Sequence, residues 1–129
     1  MSGKYLLDTN IVIALFAEDH SVQKHMAKAG EIFIPATVIG ELFFGAFKSG
    51  RPKVNTARIE NFAVYNTVLA CDIGTSRKYG HIKNLLHKKG HPIPENDIWI
   101  AALAIEHDLT LISRDEHFKE IAELKRAVW

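Results

Sequence analysis

The chain has 129 residues, 47% hydrophobic and 24% charged, enough for one globular domain that buries roughly two-thirds of its unfolded surface. Cys71 is the single cysteine, which excludes an intramolecular disulfide. Neither a secretory leader nor a run of about 18 apolar residues appears, so a cytoplasmic protein with no membrane partner is expected. The net charge of +1 conceals an asymmetry: Leu42 to Pro94 carries nine Lys/Arg against two Asp/Glu, a balance of +7, while the remainder sums to −6. Such a basic middle is either a surface for a polyanion such as nucleic acid or a set of solvated helix faces.

No repeat, low-complexity tract or linker divides the sequence, so residues 1–129 read as one domain. Tyr5 to Leu7 is a short apolar run with strand character, and Thr9 or Asn10 can cap a helix over "IVIALFA". Ser21 can cap "VQKHMAKA", with Gly30 just past its end. Ile32 to Ile34 makes a second strand, and a helix can run from about Thr37 to Lys48 after Pro35. "KSGRPKVN", Lys48 to Asn55, is the longest loop expected, followed by a helical "TARIENFAVYN". Thr67 to Cys71 is a third strand. Thr75 or Ser76 can open "RKYGHIKNLLHKKG", closed by Gly90. Asn96 can cap the helix that carries Ile98, Ala101, Ala102 and Ile105 on one buried stripe. Leu109 to Ile112 forms a fourth strand, and a last helix near Glu116 to Leu124 precedes "RAVW", an expected edge strand. Strand and helix alternate, which predicts an α/β fold with a mainly parallel central sheet flanked by helices.

Four carboxylates fall at the ends of these elements. Asp8 follows the first strand, Asp115 follows the fourth, Asp97 sits in the first turn of its helix, and Glu41 lies early in the helix after "IFIPA". In open α/β sheets ligands bind in the crevice beyond the carboxyl ends of the strands, where Asp8 and Asp115 would face each other with Glu41 and Asp97 in reach. Four carboxylates in one crevice repel one another unless a cation is present, and Mg²⁺ favours such all-oxygen sites. A metal held there can activate water and neutralise a phosphoryl oxygen, which outlines a phosphodiesterase. Each acid also has an ordinary reading: Asp97 favours the positive end of a helix, Asp8 and Asp115 end strands, and Glu41 is a helical surface residue. Glu41 is the odd one, because "LFFGAF" after it leaves little polar face.

Thr9 and Asn10 can orient a carboxylate as well as cap a helix. Ser113 alternates to the same side of an extended chain as Asp115, within reach of a metal ligand, a water or a phosphate. The seven histidines and Cys71 show no structural-zinc spacing. His81, His87 and His91 lie in the basic stretch Arg77 to His91, a solvated surface or an RNA contact. Gly74, Gly80 and Gly90 form neither a phosphate loop nor a dinucleotide fingerprint.

Together, "YLLDTNIVIALF", "IPATVIGELFFGAF" and "PIPENDIWIAALAIEHDLTLISRDEHF" resemble the PIN-domain family, and within it the VapC-type ribonuclease toxins. The resemblance runs from Tyr5 to Trp129 through the D-T-N, G-E-L, D-x-W-I-A-A and S-R-D-x-x-F motifs in order. It implies a single-domain nuclease with a parallel sheet between helices that cuts RNA with Mg²⁺ or Mn²⁺. Asp8, Glu41, Asp97 and Asp115 match the family's acidic quartet, with Asp8 and Asp97 as the most direct metal ligands, and Thr9, Asn10 and Ser113 match its supporting polar positions. It also implies a homodimer inhibited by a VapB-type antitoxin whose tail occupies the groove near the acids. Lys48, Arg51, Lys53, Lys88 and Lys89 are candidates for RNA phosphate contacts.

The function expected is therefore a metal-dependent endoribonuclease of a toxin–antitoxin pair. Two alternatives stand beside it. One is a haloacid-dehalogenase-like phosphatase with Asp8 as nucleophile, although such enzymes place a second Asp where this chain has Asn10. The other is a non-catalytic RNA-binding or protein-binding module of the same fold. Apolar "IGELFFGAF" and Trp129 lend support to a dimer, and either can equally be core.

Overall fold

A computed structural model describes residues 3–129. Its central strand is β1 (Lys4–Leu7), paired with β2 (Glu31–Pro35) on one side and β4 (Thr110–Ile112) on the other. The edges are β3 (Thr67–Leu69) and β5 (Arg126–Ala127), every pairing is parallel, and the order is β3-β2-β1-β4-β5. The chain builds outward from β1 through β2 to β3, then returns across the sheet to add β4 and β5. The border between β1 and β4 is thus the topological switch point, where a crevice opens beyond the strand ends.

Among the described residues six α-helices flank the sheet: α1 (Thr9–Phe16), α2 (His20–Lys28), α3 (Ala36–Phe47), α4 (Pro52–Val64), α5 (Ile73–Lys89) and α6 (Glu95–Glu106). Leu6, Leu7, Leu111 and Ile112 on the two central strands have no exposed surface. Helix α6 is buried at Ile98 and continuously from Ile100 to Ala104, wider than the single stripe its spacing predicts. The small alanines permit close packing on several sides, so α6 is a central helix rather than an amphipathic cover. Burying α6 in this way fixes its first turn, which carries Asp97.

Most departures from the sequence expectations concern caps. Asp8 itself caps α1, and Asp19, two residues before Ser21, caps α2 by accepting the Val22 N–H at 3.1 Å. Asp72 caps α5 in a reciprocal box with Thr75, so that helix begins ahead of Thr75 and Ser76. Extended Pro94 precedes α6, leaving Asn96 inside its first turn and not as its cap. Pro52 starts α4, which absorbs half of the expected loop at Lys48 to Asn55, because proline suits the first helical position. Strand β3 ends at Leu69 and leaves Cys71 exposed beyond it. The last helix shrinks to a 3-10 turn, Glu116–Glu120, while the expected edge strand is present as β5.

Candidate active site

Asp8 and Ser113 are the first residues past β1 and β4, and the register that pairs Leu7 with Ile112 sets them side by side. The Asp8 N–H extends the ladder to the Ile112 carbonyl at 3.0 Å. Ser113 Oγ donates to Asp8 Oδ2 at 2.7 Å, and the Thr9 N–H donates to Asp8 Oδ1 at 2.8 Å. Both side chains are buried, Asp8 at 5% exposure. Burial pushes the Asp8 carboxyl above its ordinary range. The Ser113 hydroxyl and the Thr9 amide oppose the shift, and the Asp115 charge adds to it.

The same Ser113 hydroxyl accepts the Asp115 N–H at 2.9 Å, so one side chain orients two acidic residues. Asp115 caps the 3-10 turn through the His117 N–H at 3.1 Å, and the turn swings the His117 ring back over the acids. His117 Nδ1 lies 2.9 Å from Asp115 Oδ1 and 3.1 Å from Asp97 Oδ2. Asp97 is half-buried in the first turn of α6. Burial raises its carboxyl, His117 opposes the shift, and the charges of Asp8 and Asp115 reinforce it. One ligand atom from each of Asp97, Asp115 and His117 lies within 4.8 Å of the other two.

Three of the four expected acids therefore meet at the switch point. Glu41 stands outside this group: it is half-buried on the second turn of α3 and lines a groove of about 470 Å³ with Thr9, Thr37, Gly40, Phe44 and Asn96. Thr9 and Asn96 are the chain neighbours of Asp8 and Asp97, so this groove adjoins the acidic cluster. Thr9 Oγ1 and Thr37 Oγ1 are buried without hydrogen-bond partners, the only such side-chain atoms among the described residues. Asn10 Oδ1 accepts the Arg114 N–H at 3.3 Å and ties α1 to the loop after β4.

Sequence reasoning missed His117 and Arg114. Arg114 donates to the Trp129 carbonyl and to Asp19 Oδ2, both at 3.1 Å, and so clamps the loop that carries Asp115. The only sequence signal for His117 was its place two residues after a strand-end aspartate. Trp129, weighed as a dimer contact, is buried against Tyr5 and His25. Of the basic candidates, Lys48, Arg51, Lys53 and Lys88 are exposed, whereas Lys89 is engaged with the Glu120 carbonyl at 2.6 Å.

The donor set suits a divalent cation: clustered carboxylates, two of them with raised pKa values, gain most from a positive charge placed among them. No helix among the described residues is long and apolar enough to cross a membrane. A parallel α/β sheet with carboxylates at its switch point is the architecture of a PIN domain, and the model of that family matches residues 5–124. Ribonuclease VapC2 of Haemophilus influenzae is 36% identical over 129 residues, covering 98% of each chain. The tRNA(fMet)-specific endonuclease VapC of Shigella flexneri is 30% identical, again over 98% of each. A solved structure of VapBC2 from Rickettsia felis, bound to a DNA fragment from their promoter, superposes with a TM-score of 0.89 at 29% identity over 98% of each chain. The chain belongs to the PIN-domain family, within its VapC-type ribonucleases.

Proposed function

We propose that this protein is the ribonuclease toxin of a VapBC-type toxin–antitoxin pair, a Mg²⁺- or Mn²⁺-dependent endoribonuclease that acts as one domain over residues 1–129. The observation that carries the reading is the grouping of Asp97 and Asp115 with His117 at the switch point, with Asp8 joined to it through Ser113, which bonds both the Asp8 carboxylate and the Asp115 amide. These carboxylates hold the cation, which when bound acidifies water and neutralises charge on a phosphoryl oxygen. Ser113 and the Thr9 amide fix the rotation of the Asp8 carboxylate, and Asn10 steadies the loop that presents Asp115. Glu41, which lines the adjoining groove, is the fourth carboxylate of the site and would serve to orient a water or the cation from that side. Lys48, Arg51 and Lys53 on one side, and Lys88 and Lys89 on another, contact backbone phosphates.

The Rickettsia felis complex supports a VapB-type antitoxin as partner. Ile13, Phe44 and Phe47 are each more than half exposed, which supports burial of apolar surface in a homodimer or under the antitoxin. The cell compartment proposed is the cytoplasm, where the RNA is. The phosphatase alternative loses ground because Asn10 is engaged with Arg114 and stands outside the acidic cluster. An RNA-cleavage assay with Mg²⁺ or Mn²⁺ tests the proposal: chelator and Asp97→Asn should each lower the rate by at least about 10³-fold. Cleavage indifferent to both would refute it.

A further inference from the structure

We propose that His117 is itself a ligand of the cation and tilts the site from Mg²⁺ towards Mn²⁺, an inference that rests on the metal centre proposed above. Two donors on adjacent corners of an octahedron with bonds of about 2.1 Å lie about 3.0 Å apart. The separations of His117 Nδ1 from Asp115 Oδ1 and Asp97 Oδ2, 2.9 and 3.1 Å, match that edge. Nδ1 is the ring atom turned to both carboxylates, and it is the atom that a cation shared by Asp97 and Asp115 would meet in place of the hydrogen bond to Asp97.

The placement is built into the turn. Asp115 accepts the His117 backbone N–H, and Phe118, fully buried, anchors the next residue, so the imidazole is held over the acids. His91, which lines the same shallow depression, is taken by Glu120 at 2.6 Å, leaving His117 as the imidazole that faces the cluster. On binding, the coordinate bond forms from the Nδ1 lone pair, the ring keeps its Nε2 proton, and any proton on Nδ1 passes to solvent. Both Mg²⁺ and Mn²⁺ accept carboxylate oxygen, but Mn²⁺ as a first-row transition cation gains more from an imidazole nitrogen than Mg²⁺, so a mixed nitrogen and oxygen set favours Mn²⁺ of the two metals proposed above.

The test uses the untagged chain loaded with Mn²⁺ and electron spin echo envelope modulation, which detects directly bound imidazole nitrogen, together with calorimetric titration of each metal. Nitrogen modulation should be present in the wild type and absent in His117→Ala, an exposed position whose truncation leaves the core intact. The Mn²⁺ dissociation constant should rise about tenfold in His117→Ala while that for Mg²⁺ changes by less than about threefold. Mn²⁺ bound in a manner sensitive to Asp97→Asn, yet without nitrogen modulation and with unchanged affinity in His117→Ala, overturns the ligand role alone and leaves a counter-ion. Absence of Mn²⁺ binding, or binding indifferent to Asp97→Asn, overturns the metal centre and this inference with it.

Discussion

Asp8 has both carboxylate oxygens engaged, one by Ser113 Oγ and one by the Thr9 amide, inside a buried pocket. Ser113→Ala leaves Oδ2 without its donor, which should cost about 1.5–3 kcal/mol in chemical denaturation at neutral pH and raise the Asp8 titration further in carboxyl NMR. Asp8 and Asp97 have folded-state pKa values above the ordinary 3.8, so as pH rises from there through the raised values the folded state holds the extra protons. These two groups therefore subtract stability as pH rises through that window, and metal-free protein at neutral pH carries the penalty. Asp97→Asn removes part of it: in calorimetry with chelator the variant should melt a few degrees higher than the wild type, while its RNA cleavage is lost. A lower melting point would mean that Asp97 is not strained by its surroundings. Asp8, Asp97 and Asp115 were legible in the sequence because strand ends and helix starts share one edge in a parallel fold. His117 was not, because its approach depends on a 3-10 turn whose path is set by the Asp115 cap.

Helix boundaries marked by Gly30, Pro35 and Gly90 match the sequence expectation, whereas those set by Asp19, Asp72, Pro52 and Pro94 lie ahead of it. Asp19 and Asp72 lie two to four residues ahead of the hydroxyl residues Ser21, Thr75 and Ser76, and nothing in the spacing separates one acceptor from another. Three helices end in the same way, with a left-handed residue at Glu18 (φ 60), Gly90 (φ 70) and Asp108 (φ 53), and only the glycine announces it. The following amides bond back to Ala14, Leu86 and Ala104 at 2.9, 3.1 and 2.8 Å. Opposite outcomes should follow in thermal unfolding. Gly90→Ala, with open space around the added Cβ, should lose about 1 kcal/mol from conformation alone, and Glu18→Gly should gain a similar amount. The breadth of burial on α6 was also hidden, because an Ala-rich helix reads the same whether one face or all of them is covered. Its consequence is local to function: the helix that presents Asp97 cannot shift without repacking the core.

Across the molecule, the Lys/Arg residues of the basic middle segment fall in the turn after α3 (Lys48, Arg51), in α4 and in α5. Lys48 lies 4.6 Å from the Phe44 ring centroid beside the groove, while Lys89 bonds Glu120, which lines a depression with His117. An RNA strand that entered the acidic cluster through the Glu41 groove would pass Lys48 beside Phe44. With cleavage-inactive Asp97→Asn protein, Lys48→Ala should therefore weaken RNA binding across sequences and reduce the salt slope by about 0.7. A slope identical to that of the Lys48-containing protein would place the strand elsewhere. The fold class and parallel sheet were legible from the alternation of apolar runs. Charge composition showed only that a polyanion was plausible, and RNA came from the family. Isotope tracing of the cleavage reaction bears on attack by water at a phosphate held beside Asp8, Asp97 and Asp115. A single turnover in ¹⁸O-labelled water with Mn²⁺ should place one ¹⁸O in the product terminal phosphate without passing through a 2′,3′-cyclic phosphate. Accumulation of the cyclic phosphate, which records attack by the RNA's own 2′-hydroxyl, would contradict the mechanism.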